Sequence, residues 1–160
     1  MVPQSTTDSA AELGRWLLAR GWTVATAESC TGGGMGYAIT TVPGSGQWFA
    51  GGFITYMDEV KHDVLGVAKE VIQQHGAVSA ETAEAMACHT LEQVGVDVAI
   101  STTGIAGPTG GSKEKPVGLV WFGLAWADQC ISWQHHFPGD REAVRIAAIE
   151  HALTSYKKIP

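Results

Sequence analysis

Apolar and polar residues change period several times along this chain, and each change marks an element. Ala10, Leu13, Leu17 and Leu18 recur at helical spacing over residues 9–20, and Gly21 stops the run. Trp22-Thr23-Val24-Ala25-Thr26 is rich in β-formers and predicts a strand. Met35, Ile39 and Val42 resume helical spacing until Pro43-Gly44-Ser45-Gly46 breaks it. Residues 49–57 read as a second strand on Phe53, Ile54 and Tyr56. Residues 58–65 predict a short helix closed by Gly66, and 69–74 a further helical turn before His75-Gly76. Ser79 caps a helix that buries Ala83, Met86, Ala87, Leu91 and Val94 and ends at Gly95. Residues 97–102 form an apolar, β-branched strand. Residues 117–126 and 130–137 predict a hairpin across Ala127-Asp128-Gln129. Pro138-Gly139-Asp140 opens a last helix to about residue 156, with Val144, Ala147, Ala148 and Ala152 facing inward.

Helices alternate with strands through the first two thirds, and a hairpin follows. That order predicts an α/β fold, a three-layer α/β/α sandwich with a mixed sheet. The 160 residues carry no linker, repeat or low-complexity stretch, so residues 1–160 read as one domain with a core from about 8 to 156. Ligands in such folds sit at the carboxyl ends of strands. Two glycine-rich loops follow strands directly, Ser29-Cys30-Thr31-Gly32-Gly33-Gly34 and Gly104-Ile105-Ala106-Gly107-Pro108-Thr109-Gly110-Gly111. They are expected to converge on one crevice.

Composition narrows the function classes. A net charge of -6 argues against a non-specific nucleic-acid binder, which needs a basic face. No apolar run is long enough to span a bilayer. The first residues lack a basic segment followed by a hydrophobic one, so no signal peptide is expected. Cys30, Cys88 and Cys130 are odd in number and widely spaced, which fits reduced thiols in the cytoplasm. His62, His75, His89, His135, His136 and His151 form no metal-ligand spacing, and no metal or cofactor is expected.

The candidate chemistry centres on the first loop. A serine on a glycine turn at a helix start meets several free backbone N–H groups. The place suits a phosphate, a carboxylate, or an oxyanion beside a serine nucleophile. The plainer alternative is a tight turn with a capping serine. A nucleophilic Ser29 needs a base. Lys61 follows the second strand, and burial makes a lysine lose its proton more easily. Tyr56 is placed to relay a proton or hydrogen-bond the pair. The alternative for Lys61 is a solvated helix residue paired with Asp58. Asp58 is expected to favour the charged lysine and raise its pKa. Cys30 is either a reactive thiol or a packing residue. In the second loop Thr103 is a candidate hydrogen-bonding group or an ordinary turn threonine, and the glycines let amides approach a phosphate. Arg141 and Arg145, one helical turn apart, are candidate phosphate clamps or partners of Asp140 and Glu142.

Several segments together resemble a known family. They are Thr26-Ala27-Glu28-Ser29-Cys30-Thr31-Gly32-Gly33, Gly51-Gly52-Phe53-Ile54-Thr55-Tyr56, Lys61 and Gly76-Ala77-Val78-Ser79. Thr103-Gly104-Ile105-Ala106-Gly107-Pro108, Gly110-Gly111, Lys115-Pro116-Val117-Gly118 and Gly139-Asp140-Arg141 continue the series. In this order they resemble the C-terminal domain of the competence/damage-inducible protein CinA, whose stand-alone members act as nicotinamide-nucleotide amidohydrolases. The resemblance implies hydrolysis of the carboxamide of nicotinamide mononucleotide to nicotinate mononucleotide and ammonia. It implies Ser29 as nucleophile, Lys61 as its base and Tyr56 as an assisting group. It further implies substrate contacts from Cys30, Thr31 and Gly32, from Thr103, Gly104, Ile105, Ala106, Gly107, Gly110 and Gly111, and from Arg141 on the phosphate. A homodimer is expected on the same basis. The rival reading is a non-catalytic pyridine-nucleotide-binding module linked to competence or DNA damage. Such a module needs the glycine loops but not Ser29, Tyr56 and Lys61.

Overall fold

The computed structural model describes residues 1–160. Helix α1 (Gln4–Leu18) leads to strand β1 (Val24–Glu28) and helix α2 (Gly34–Thr40). Strand β2 (Phe49–Ile54) is followed by α3 (Asp58–Asp63), α4 (Lys69–His75) and α5 (Ala80–Val94). Strands β3 (Val98–Gly104), β4 (Leu119–Trp126) and β5 (Gln129–His136) precede α6 (Arg141–Leu153). The sheet runs β2-β1-β3-β4-β5. β1 is parallel to β2 and β3, while β4 is antiparallel to β3 and β5, so the sheet is mixed as expected. No helix is long and apolar enough to cross a membrane.

The period of two along each strand divides the core. Even positions (Val24, Val98, Ile100, Val120, Phe122 and Leu124) join α1, α2 and α6 in the larger cluster. Odd positions Ala27, Ala99 and Ala125 pack with Met86 and Ala87 of α5 on the other face. That second face is built from small side chains, which brings α5 close. A Cβ added at Gly123 would collide with the Ala83 carbonyl, and Ser101 Oγ donates to the same carbonyl at 2.6 Å. All three parallel strands therefore point their carboxyl ends to one edge of the sandwich, between two helix layers.

Several boundaries differ from the sequence expectation. α1 starts at Gln4, one step after Pro3, whose missing N–H suits a helix start. Leu18 is 49% exposed rather than core, because it lies about 100° around the helix from Leu17. β2 ends at Ile54 rather than residue 57, because Met57 serves as the N-cap of α3. The last helix ends at Leu153 and passes into a 3-10 turn at Ser155–Lys158.

Candidate active site at the carboxyl ends of the parallel strands

Ser29 directly follows β1, and its amide still donates to the Thr102 carbonyl of β3 at 3.0 Å. As the next odd position it faces the layer that holds α3. Lys61 comes from α3 and is 1% exposed. Its Nζ lies 3.2 Å from Ser29 Oγ, 2.7 Å from the Thr55 carbonyl and 3.1 Å from the Tyr56 carbonyl. A neutral amine has two N–H donors, and the two carbonyls take both. Its lone pair then faces the Ser29 hydroxyl, which is the arrangement a general base needs.

Burial shifts the balance towards that neutral form. Burial pushes the Lys61 pKa below the ordinary lysine value. Asp58, 3.9 Å away and 55% exposed, pulls it back in part, as does Cys30. Asp58 thus raises the lysine pKa as expected, but burial outweighs it. A solvent-facing carboxylate offsets only part of the cost of burying an ammonium. The solvated-lysine alternative does not describe this side chain.

The turn after Ser29 holds its own anion. Glu28 is 2% exposed and aims its carboxylate into the first turn of α2. Its Oε1 accepts from Thr31 Oγ1 at 2.7 Å and the Met35 amide at 2.8 Å, and its Oε2 accepts from the Gly36 amide at 3.0 Å. Thr31 Oγ1 also lies 2.8 Å from Thr102 Oγ1. The first turn of α2 is therefore filled by the Glu28 carboxylate and not by a phosphate or carboxylate ligand, two of the three occupants expected there. Gly32 (φ 57°) and Gly33 (φ 94°) lie in the left-handed region, which lets the chain reverse between strand and helix. The amides of Cys30 and Thr31 have no backbone carbonyl partner, whereas the Gly32 amide donates to the Ser29 carbonyl at 3.0 Å. Glu28→Gln sets an amide NH2 against a backbone N–H. It is expected to cost about 1–3 kcal/mol, read as a lower urea midpoint with an unchanged slope.

Cys30 does not present a reactive thiol. Its side chain joins the larger core, and burial pushes its pKa up to about 12. Only its backbone is available to a substrate.

The second loop follows β3, next to the first. Thr103 is buried, and its hydroxyl donates to the Ala77 carbonyl at 2.7 Å, which occupies it within the protein. Ala106 is likewise buried, as part of the larger core. The Ile105 amide and carbonyl are both stitched to the Gly118–Leu119 backbone, at 2.9 and 2.7 Å. Gly107 precedes Pro108 through a cis peptide. Gly104 and Gly111 are packed against Leu119–Val120 and Pro116–Val117, so both glycines serve close backbone approach. Gly110 lies on the exposed part of the loop.

Arg141 ties the crevice mouth together. It donates to the Gly107 carbonyl at 2.7 Å and to the Tyr56 hydroxyl at 2.9 Å. Tyr56 thus touches Lys61 through its carbonyl, while its hydroxyl is held at the mouth. Arg145 donates to the Cys30 and Thr31 carbonyls at 3.2 and 3.1 Å. Neither arginine forms an ion pair, so the alternative of pairing with Asp140 or Glu142 does not describe them. A cleft of about 490 Å³ lies beside Arg141, lined also by Ala106, Pro108, Val117 and Gly139. Another of about 330 Å³ lies beside Gly32, Gly33 and Arg145. Ser29 lines neither cleft and is 8% exposed. No group of three His, Cys, Asp or Glu side chains is arranged to hold a metal ion.

Sequence reasoning missed Glu28, Thr55 and Thr102. For Glu28 a signal existed, since an acidic residue just before a glycine turn and a helix start complements the helix dipole. Thr55 acts through its backbone carbonyl, which no side-chain pattern reveals.

The chain as a whole is similar to proteins of one family. The family model described as the CinA C-terminal domain matches residues 6–159. The nicotinamide-nucleotide amidohydrolase PncC of Escherichia coli K12 is 50% identical over 143 residues, covering 89% of this chain and 87% of that protein. The crystal structure of the competence/damage inducible protein CihA of Agrobacterium tumefaciens superposes with a TM-score of 0.95 at 36% identity, over 99% of this chain and 97% of that one. The competence damage-inducible protein A of Klebsiella pneumoniae gives 0.92 at 37% identity, over 96% of each chain. With nearly every residue inside the matched model and the whole sandwich shared with solved members, this chain belongs to the CinA C-terminal domain family.

Proposed function

We propose that this protein is a nicotinamide-nucleotide amidohydrolase. It hydrolyses the carboxamide of nicotinamide mononucleotide to nicotinate mononucleotide and ammonia. The observation that carries this reading is the buried Lys61 amine at 3.2 Å from Ser29 Oγ, with both donors of its neutral form spent on two carbonyls. The 50% identity to a curated amidohydrolase supports the substrate class.

In the proposed cycle Lys61 takes the Ser29 proton as Oγ attacks the carboxamide carbon. The Cys30 and Thr31 amides receive the oxyanion. The Lys61 ammonium then protonates the leaving nitrogen, and ammonia departs from an acyl-enzyme. Water, activated by the freed Lys61 amine, cleaves the ester and restores Ser29. Arg141 has only neutral partners, so a phosphate would win its guanidinium readily. Tyr56 steadies Lys61 through its carbonyl and lines the mouth through its ring. A binding module has no use for a buried amine beside a serine.

The three free thiols fit a cytoplasmic protein. Exposed Ile54 and Met57, at the end of edge strand β2, offer contact area for a homodimer.

The test is ammonia release from nicotinamide mononucleotide, with product identified by mass. Equal release of nicotinate mononucleotide is expected. A folded protein that binds the nucleotide without releasing ammonia would overturn the amidase in favour of the binding module. Light scattering on the same sample reads the dimer, and a monomer ends that part of the reading.

A further inference from the structure

Arg145 stands apart from the chemistry described above. It sits on α6, in the layer opposite Lys61, and it has no acidic partner. Its Nε donates to the Cys30 carbonyl at 3.2 Å and its terminal NH2 to the Thr31 carbonyl at 3.1 Å. One planar fork therefore grips two successive peptide units of the nucleophile turn. The C=O and N–H of a trans peptide point in opposite directions. Holding the Cys30 carbonyl towards α6 thus turns the Thr31 N–H away from α6. Holding the Thr31 carbonyl fixes the next peptide, whose Gly32 N–H donates to the Ser29 carbonyl at 3.0 Å. That second link orients the Ser29–Cys30 peptide and with it the Cys30 N–H.

Both amides without a backbone partner are thus set by one guanidinium, one directly and one through Gly32. The grip is rigid at its base. Val144 and Ala148 are buried in the core, and a Cβ on Gly34 would overlap the Ile149 side chain. A charge on the carbonyl side of a peptide also polarises its N–H and makes it a stronger donor.

We infer that Arg145 is a positioning residue that aims the Cys30 and Thr31 amides, and polarises the Thr31 amide, as the oxyanion donors for attack by Ser29. This rests on the reading of Ser29 as nucleophile. It assigns Arg145 a role different from a substrate-phosphate clamp, and the two differ in what they change. Losing a clamp weakens substrate binding. Losing aimed amides lowers the rate of the bound complex.

The experiment compares wild type, R145K and R145A by kcat and KM for nicotinamide mononucleotide, and by Ser29 labelling with a fluorophosphonate. The label reacts as Ser29 Oγ bonds to phosphorus and fluoride leaves, so it needs no amide substrate. For R145A a fall in kcat of about 100-fold is expected, the scale of a lost oxyanion donor. KM should stay within about twofold. Labelling should slow in parallel, and millimolar guanidinium should restore part of both rates. R145K keeps the charge but not the fork and should fall between. If R145A does not fold, the same comparison with R145K decides. A raised KM with unchanged kcat, or labelling at the wild-type rate, overturns the assignment. Wild type that labels at Ser29 but releases no ammonia removes the amidase reading and leaves this proposal to the labelling rates. Wild type that does neither removes both.

Discussion

Ser29→Ala is expected to lower ammonia release by about four orders of magnitude or more, as removal of a covalent nucleophile does. The fold should survive the change. The Ser29 hydroxyl has one protein partner, Lys61, at 3.2 Å, and Lys61 keeps its two carbonyls without it. The loss of that contact is worth about 1 kcal/mol. The variant should therefore melt close to wild type and still bind nicotinamide mononucleotide, because Arg141 and the second loop are untouched. Ammonia release, a melting curve and a titration with the nucleotide together read the outcome. Turnover retained in a pure, folded variant would remove Ser29 from the mechanism and direct attention to a water nucleophile.

Lys61→Met is the second large effect. Methionine fills nearly the same space without a base, so kcat should fall by about 10³–10⁴-fold. Stability should fall as well, because the Thr55 and Tyr56 carbonyls lose their shared donor. The cost is about 1–3 kcal/mol for each acceptor left buried without a partner. The wild-type pH profile carries the sign of the mechanism. Activity needs the neutral amine, so kcat/KM should rise with pH through the Lys61 pKa and then level. Burial places that limb below the ordinary lysine value of 10.5. Asp58 favours the ammonium, so Asp58→Asn should move the limb to still lower pH. The linkage to stability runs the same way. Between the folded pKa and 10.5 the unfolded chain binds more protons than the folded one, so the Lys61 contribution to stability increases with pH across that window. Below the folded pKa the penalty for burying the charge is fully present. A limb above 10.5, or one that ignores Asp58→Asn, would exclude Lys61 as the base.

Local pattern carried a good part of this protein. The strand, glycine turn and helix around Ser29 follow from β-formers, two left-handed glycines and helical spacing, all within about twenty residues. The hairpin and the α5 boundaries were legible for the same reason, since Ser79 caps that helix and Gly95 ends it in the left-handed region. The ordered blocks from Thr26 to Arg141 were enough to point to the CinA C-terminal domain. Strand ends and Leu18 were misjudged because an element ends where tertiary contacts stop rewarding it.

The candidate site was legible as a set of residue types but not as an arrangement. Whether Lys61 meets water or Ser29 depends on how α3 packs under β1, 32 residues away in the chain. Burial of that side chain, which no local spacing encodes, moves its pKa and makes it a candidate base. The α2 N-terminus looked open to a ligand until folding turned Glu28 back into it. Arg141 and Arg145 look alike in sequence, one turn apart on a polar helix start. Folding sends one to the crevice mouth and the other to carbonyls 114 and 115 residues earlier. The sequence by itself determined the elements, the family and the candidate groups for chemistry, because backbone propensity and side-chain period act over short stretches. The tertiary structure alone decided which groups are dry, which are paired and which donors remain free, because those depend on contacts between distant segments.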